Sequence, residues 1–381
     1  MSRTKNYLVS AVSLLIGMAV AGQAVASNGY FAIGNGTKSK GMGGVGIALP
    51  QDTFASANNP AGGVFVGDRF DIGVNALKTQ AEETDTFGGV VTFNEKLGDK
   101  LLVIPHLGYN GMLDQHSSIG VSLYANDGLY SEYPLNELTL KQGFANFSYA
   151  HRIGERSSLG GSILVAVQEY SVENLPLSST DTATGLGLKL GWQGYVGGGV
   201  SLGATWQPTI KMTESSDFTS AFGFNGEYDI PSTYGAGIAW NHKGFTIAFD
   251  YQRINYSDVA ALGNSTTLPV GQAGLGWNSI NVFKLGIQYE FNNLAIRAGF
   301  NHGDNPVPEN TLDTNGLIPA FIQNHLTAGL TAKFFQSSEL NLALIYGLEN
   351  TVSGASIVSP GETIESTQSQ YAVEISYGVR F

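Results

Sequence analysis

Large apolar and small or polar residues alternate along most of this chain. The last residues, YAVEISYGVRF, show it most clearly. Tyr371, Val373, Ile375, Tyr377, Val379 and Phe381 fall on one parity and Ala372, Glu374, Ser376, Gly378 and Arg380 on the other. A strand repeats every two residues, so such a segment has one greasy face and one polar face. A half-buried strand of a soluble sandwich would suit this pattern. So would a membrane barrel, whose apolar face meets lipid and whose polar face meets the lumen.

Fourteen such segments can be placed, near 68–79, 101–112, 117–127, 138–152, 157–171, 184–193, 198–212, 231–241, 244–256, 279–291, 294–303, 322–334, 338–350 and 370–381. Each has about the 9–11 residues of a tilted membrane strand. The connections sort by parity. Short ones (MLDQHS, IGERS, QGYVGG, NHKG, NN, FQSS) alternate with long ones near 80–100, 128–137, 172–183, 213–230, 257–278, 304–321 and 351–369. Short turns at one end and longer loops at the other mark an outer-membrane barrel; Greek-key sandwiches do not sort their loops this way. Trp192 and Trp240 at short turns, and Trp277 at the close of a long loop, are read as interfacial anchors.

Composition supports lipid as the solvent. The 381 residues are 13% charged, against about 25% in ordinary soluble domains. Glycine is frequent, and past the N-terminus no apolar run approaches the ~20 residues of a membrane helix. Residues 1–26 read as a secretory signal peptide: Arg3 and Lys5, an apolar core from Tyr7 to Val20, then Ala24-Val25-Ala26. The expected class is therefore an all-β, fourteen-stranded antiparallel transmembrane barrel over 68–381, multi-pass in the bacterial outer membrane. The formal charge of −12 argues against a nucleic-acid partner. The chain has no cysteine. Its six histidines are scattered and no HExxH or GxSxG pattern occurs, so neither an enzyme nor a cofactor or metal is expected.

Residues 27–67 do not alternate and are rich in Gly, Ser, Asn and Ala. They fit a periplasmic leader, or a compact plug inside a barrel too wide for its own side chains to fill. Within them, Gly43-Gly44-Val45-Gly46-Ile47-Ala48, then Asp52, then Asn59-Pro60-Ala61 stand in order before the first strand. That set resembles the N-terminal hatch of the FadL/TodX family of outer-membrane transporters for hydrophobic compounds. The resemblance continues through VIPHLGYNGMLDQHSSIGVSLYANDGLYSEY, SLGATWQPTIKM and DIPSTYGAGIAW.

The resemblance implies a fourteen-stranded barrel with a hatch over 27–67. A hydrophobic solute would bind in the lumen and leave sideways where one strand kinks inward. Tyr124, Ala125, Asn126, Asp127 and Gly128 are the candidate kink, since they break the alternation of Ile119, Val121 and Leu123; an ordinary strand end reads the same way. Tyr30, Phe31 and Ile33 match the end that reaches the family's lumen pocket. For a fatty acid, the carboxylate would seek a lumen cation, and alternation turns Lys189, Lys284 and Arg297 inward. The loops at 172–183 and 213–230 are shorter than the family's helical extracellular pair, which leaves its outer binding groove open. The partners expected are a hydrophobic small molecule, outer-membrane lipid and lipopolysaccharide, and the barrel assembly machinery, with the barrel a monomer. A general diffusion porin for polar solutes and a surface adhesion barrel are the rival readings.

Overall fold

The computed structural model describes residues 27–98, 101–133, 136–173, 179–214, 228–269, 272–315, 319–335 and 337–381. The expected signal peptide at 1–26 lies outside them, as does most of the 213–230 loop. The strands are β1 (Arg69–Phe87), β2 (Val90–Gly98), β3 (Leu101–Met112), β4 (Ser117–Ala125), β5 (Leu129–Tyr133), β6 (Asn136–Ile153), β7 (Ser157–Glu173) and β8 (Ser179–Gly197). The second half has β9 (Val200–Gln207), β10 (Thr233–His242), β11 (Phe245–Ile254), β12 (Ile280–Phe291), β13 (Leu294–Gly303), β14 (Asn324–Phe334), β15 (Ser338–Ala355) and β16 (Glu362–Arg380).

All but β2 and β5 join one antiparallel wall in chain order, and β16 pairs with β1 to close it. The result is a closed fourteen-stranded barrel. β2 folds back on the far half of β1, and β5 pairs with β6. All fourteen expected strands are present. The short turns need left-handed backbone, which tight hairpins favour. Gly198 and Gly199 supply it at φ 60° and 83°, and Lys243 and Gly244 at 49° and 81°.

Four stretches expected as long loops are largely strand. Residues 80–100 hold the far half of β1 and all of β2, 128–137 hold β5, the described residues of 172–183 are the ends of β7 and β8, and 351–369 hold the distal ends of β15 and β16. β1 and β16 have 19 residues each, which at ~3.3 Å per residue is about 60 Å of strand. A lipid-facing band needs only ~25 Å, so these strands project beyond it. There both faces meet polar surroundings and the alternation fades.

Side-chain exposure is inverted relative to a soluble protein. On β16, Tyr371, Val373 and Ile375 are 42–48% exposed while Ala372, Glu374 and Ser376 are at most 5% exposed. The same inversion holds for Leu340 and Leu344 around buried Asn341 and Ala343. An apolar exterior around a polar interior is stable only in lipid, where the pairing of β16 with β1 also closes the sheet on itself. Trp192 and Trp240 do face outward near the short turns, but Trp277 is 1% exposed. Its loop folds back over the barrel mouth and packs the indole edge-on against Tyr256, 5.2 Å between ring centres; it is not a membrane anchor.

Candidate functional site

Residues 27–67 hydrogen-bond to inward-facing groups around much of the wall, so the segment lies within the barrel. Short helical turns at Thr37–Lys40, Ala55–Asn58, Pro60–Gly62 and Gly63–Val66 shape it. Wall glycines let its backbone approach. A Cβ at Gly203 would stand 2.2 Å from Ile47 O, one at Gly299 2.0 Å from Gly43 N, and one at Gly160 2.4 Å from Ala61 N. Part of the high glycine content is thus an imprint of this segment on the wall.

The motif residues fasten it. Gly46 and Ile47 donate their N–H groups to Asp250 Oδ2 at 2.7 and 2.9 Å, and Gly43 N–H donates to Thr327 Oγ1 at 2.8 Å. Gly44 sits at φ 85°, with the site of a Cβ taken by Ile33 O. Asn59 accepts from Ala61 N–H across the Pro60 turn at 3.1 Å. Its amide donates to Ile47 O at 2.7 Å and to Trp192 O, on β8, at 2.9 Å. Asp52 caps the next turn by accepting from Phe54 N–H at 3.0 Å. Burial, with Asp71 adding to it, pushes the Asp52 carboxyl up to about 7.

A buried ion network holds the segment to β1, β15 and β16. Arg69 pairs with Asp71 and Glu339, Lys38 also pairs with Glu339, and Lys40 pairs with Glu374 at 2.7 Å. Thr37 donates to Glu374 at 2.9 Å. Arg69 is 0% exposed, so it depends on these partners: an isolated buried charge is strongly unfavourable.

Above this network the interior turns apolar. Tyr30 packs with Tyr228, Tyr256 and Trp277 in a cluster that caps the long-loop end. A second cluster, with Phe54, Tyr124, Phe144, Leu164 and Ile210, lies deeper in the lumen. Phe31 touches both clusters. A third joins Ile33 to Leu77, Leu102, Ile104 and Ile345, with Ala125 packed against it. Phe31, Tyr124, Asn126, Phe144, Lys189 and Lys284 share the wall of an internal cavity of about 60 Å³. Lys189 Nζ donates to Ala57 O at 2.6 Å and Lys284 Nζ to Gln252 Oε1 at 3.0 Å. Among the described residues no carboxylate is ion-paired with either. The candidate binding residues therefore divide. Phe31, Lys189 and Lys284 meet at one cavity, Tyr30 lies above it and Ile33 beside it. Arg297 is buried in a different cleft, at the short-turn end.

Tyr124–Gly128 falls where the wall is interrupted. β4 pairs with β6 down to Ala125↔Gly143, and β5 resumes at Leu129↔Leu140. The register gains one residue between them, a bulge, with Gly128 at φ 73°. The bulge turns inward. Asp127 accepts from Ser27 Oγ at 2.6 Å, and Gly128 N–H donates to Tyr30 O at 3.0 Å. On the other side, the β3–β4 ladder ends at Leu107↔Leu123. Leu101–His106 of β3 pair with β1 and, among the described residues, have no ladder partner on the β4 side.

Sequence reasoning missed several lining groups. Asp250 and Phe144 could have been found as inward-facing residues on alternating strands. Tyr228, Tyr256 and Trp277 come from loops, where no periodicity points at them.

No protein-family model matches the chain, and no curated protein matches it in sequence. Solved structures do match. The toluene transporter TodX of P. putida is 19% identical over 92% of this chain and 99% of its own, with a TM-score of 0.72. A Pseudomonas aeruginosa FadL homologue is 13% identical over 93% and 100%, at 0.75. The Ralstonia pickettii toluene transporter TbuX is 17% identical over 92% and 99%, at 0.67. At these identities the likeness is one of fold.

Proposed function

Proceeding from a multi-pass outer-membrane barrel with the fold of TodX and of a FadL homologue, we propose that this protein belongs to the FadL/TodX family. In this reading it takes up small hydrophobic molecules. Such a solute is excluded by the polysaccharide leaflet and poorly solvated in a watery pore. The observation that carries the reading is the apolar interior joined through Phe31, with a third apolar cluster beside the broken ladder between β3 and β4. Solute enters over Tyr30, displaces Phe31, binds in the lumen, and leaves between β3 and the bulge at Asn126–Gly128 into the bilayer. Residues 27–67 act as the hatch. A cavity of about 60 Å³ is smaller than the ~150 Å³ that accommodates benzene, so binding requires Phe31 or its neighbours to move. Ser27 and Tyr30 hold the bulge, so that movement reaches the exit.

Lys189 and Lys284 favour an apolar acid over a neutral hydrocarbon, because they bring two cations to a cavity whose one lining carboxylate, Asp250, is taken up by the Gly46 and Ile47 N–H groups. Hydrogen bonds to a charged group contribute about 1.5–3 kcal/mol, roughly ten- to a hundredfold in affinity. Dodecanoate should bind the purified barrel that much more tightly than dodecanol, and Lys189→Gln with Lys284→Gln should erase the preference. Equal binding of the two ligands would turn the reading towards neutral hydrocarbons such as the toluene named for TodX. Transport, rather than catalysis, is the function proposed. The porin alternative is separated by planar-bilayer conductance: a large, steady ohmic current through the full-length barrel would overturn hydrophobic uptake.

A further inference from the structure

A cleft of about 340 Å³ opens at the short-turn end, roofed by Leu49–Gln51 of the hatch segment. It takes no part in the solute path. Its lining carries the cations Lys38, Arg297, Lys333 and Arg380 against the two carboxylates Glu290 and Glu339, in a chain whose formal charge is −12. Both carboxylates are already engaged, Glu339 by Lys38 and Arg69, Glu290 by Lys333. Arg297 and Arg380 have no ion-pair partner among the described residues.

Arg297 is 8% exposed. One of its terminal nitrogens donates to Thr331 Oγ1 at 2.7 Å, but its Nε has no partner. Gln51 Nε2, on the facing hatch segment, is also buried without a partner. Both orphaned groups are donors, and buried donors are seldom left unpaired. A planar guanidinium with a free Nε–H suits carboxylate or phosphate oxygens.

We propose that this cleft binds a small oxyanion, a carboxylate or phosphate arriving from the short-turn side, held between Arg297 of β13 and Gln51 of the hatch. The anion joins wall to hatch and so keeps the hatch docked, whatever solute the lumen carries.

The test uses the full-length barrel in micelles at low ionic strength, with inorganic phosphate and acetate as probes. Calorimetry reads binding, and amide hydrogen exchange reads residues 38–51. Saturable binding of either anion is expected, with exchange slowed about tenfold at ten times the Kd. Arg297→Gln should weaken binding at least about tenfold, the loss of one charge-assisted pair. Phosphate alone, acetate alone or both saturating supports the proposal and names the oxyanion. Neither saturating overturns it, as does unchanged affinity in Arg297→Gln. If that variant does not fold, Gln51→Leu stands in its place under the same criteria.

Discussion

Two seams of one barrel show how strand pairing divides its work. The β1–β16 seam, where the wall closes, is paired without a break from Arg69↔Arg380 to Phe87↔Glu362. The β3–β4 seam runs only from Met112↔Ser118 to Leu107↔Leu123. The proximal interior of the first is ionic: Arg69, Asp71 and Glu374, with Lys40 of the N-terminal segment against them. Beside the second, Leu102, Ile104 and Ala125 join an apolar cluster that reaches Leu77 and Ala372 of the first, with His106, Asn126 and Asp127 as the buried polar groups nearby. Charges in a lumen must be held in fixed geometry to offset their desolvation, and a continuous ladder provides that. The proposed passage of an apolar solute needs no such precision, only a place where the ladder stops short.

The largest effect is expected from breaking the ionic interior of the closed seam. Arg69→Leu would leave Asp71 buried without its ion pair and remove one of two cations from Glu339. Removing one partner of a buried pair costs about 3–5 kcal/mol. Urea unfolding in micelles should show a loss of that order, and amide exchange in residues 37–53 should rise with it. Unchanged stability would mean that Lys38 alone satisfies Glu339 and that the seam does not depend on the network.

Repairing the broken seam should have a smaller, more selective effect. Gly128 holds φ 73°, a conformation β-branched residues avoid. Replacing Asn126, Asp127 and Gly128 with Val, Thr and Val favours a regular strand. Transfer of solute into liposome bilayers should slow about tenfold, the equivalent of roughly 1.4 kcal/mol on the barrier, while lumen binding persists. Correct assembly is checked first by heat-modifiable migration. Full transport through a barrel with a completed β3–β4 ladder would overturn the proposed lateral exit and mean that solute passes residues 27–67 instead.

The contrast between the seams was only partly legible in the sequence. The fourteen wall strands could be read because lipid outside and polar lumen inside impose opposite demands on successive residues. That signal stops where lipid stops: QAEETDTF at 80–87 is strand, yet polar on both faces. The loss of pattern at Asn126–Gly128 was visible, but a bulge and a strand end use the same residues. Alternation also turned Lys189, Lys284 and Arg297 inward. It could not separate them, because which cavity a lumen cation meets depends on the residue of the N-terminal segment lying against it: Ala57 for Lys189, Leu49–Gln51 for the cleft of Arg297. Trp277 was misplaced for a related reason, since a loop tryptophan gives no sign of whether its loop points to lipid or folds over the mouth.

The smallest effect sharpens the comparison by titration. Asp52 sits inside the closed seam, with Asp71, Arg69 and Lys38 nearest it electrostatically, and its docked carboxyl lies at about 7. Released from the barrel, it would return to about 3.9. Between those values the docked segment 27–67 holds one more proton than the undocked one. Docking therefore strengthens as pH falls from about 7 towards 4, by up to about tenfold per unit, and is flat in this term above 7. Asp52→Asn removes the titrating group while keeping an oxygen for Phe54 N–H. Other carboxylates of the network respond in both proteins, so the difference between the two slopes isolates Asp52. Limited proteolysis of residues 27–67 at pH 8, 7, 6 and 5 supplies the measurement: wild type should grow more resistant relative to Asp52→Asn as the pH drops. Parallel slopes would show that the docked carboxyl stays ionised, with Arg69 and Lys38 outweighing burial. The closed seam would then hold Asp52 as one more ion of its network, rather than as a neutral acid.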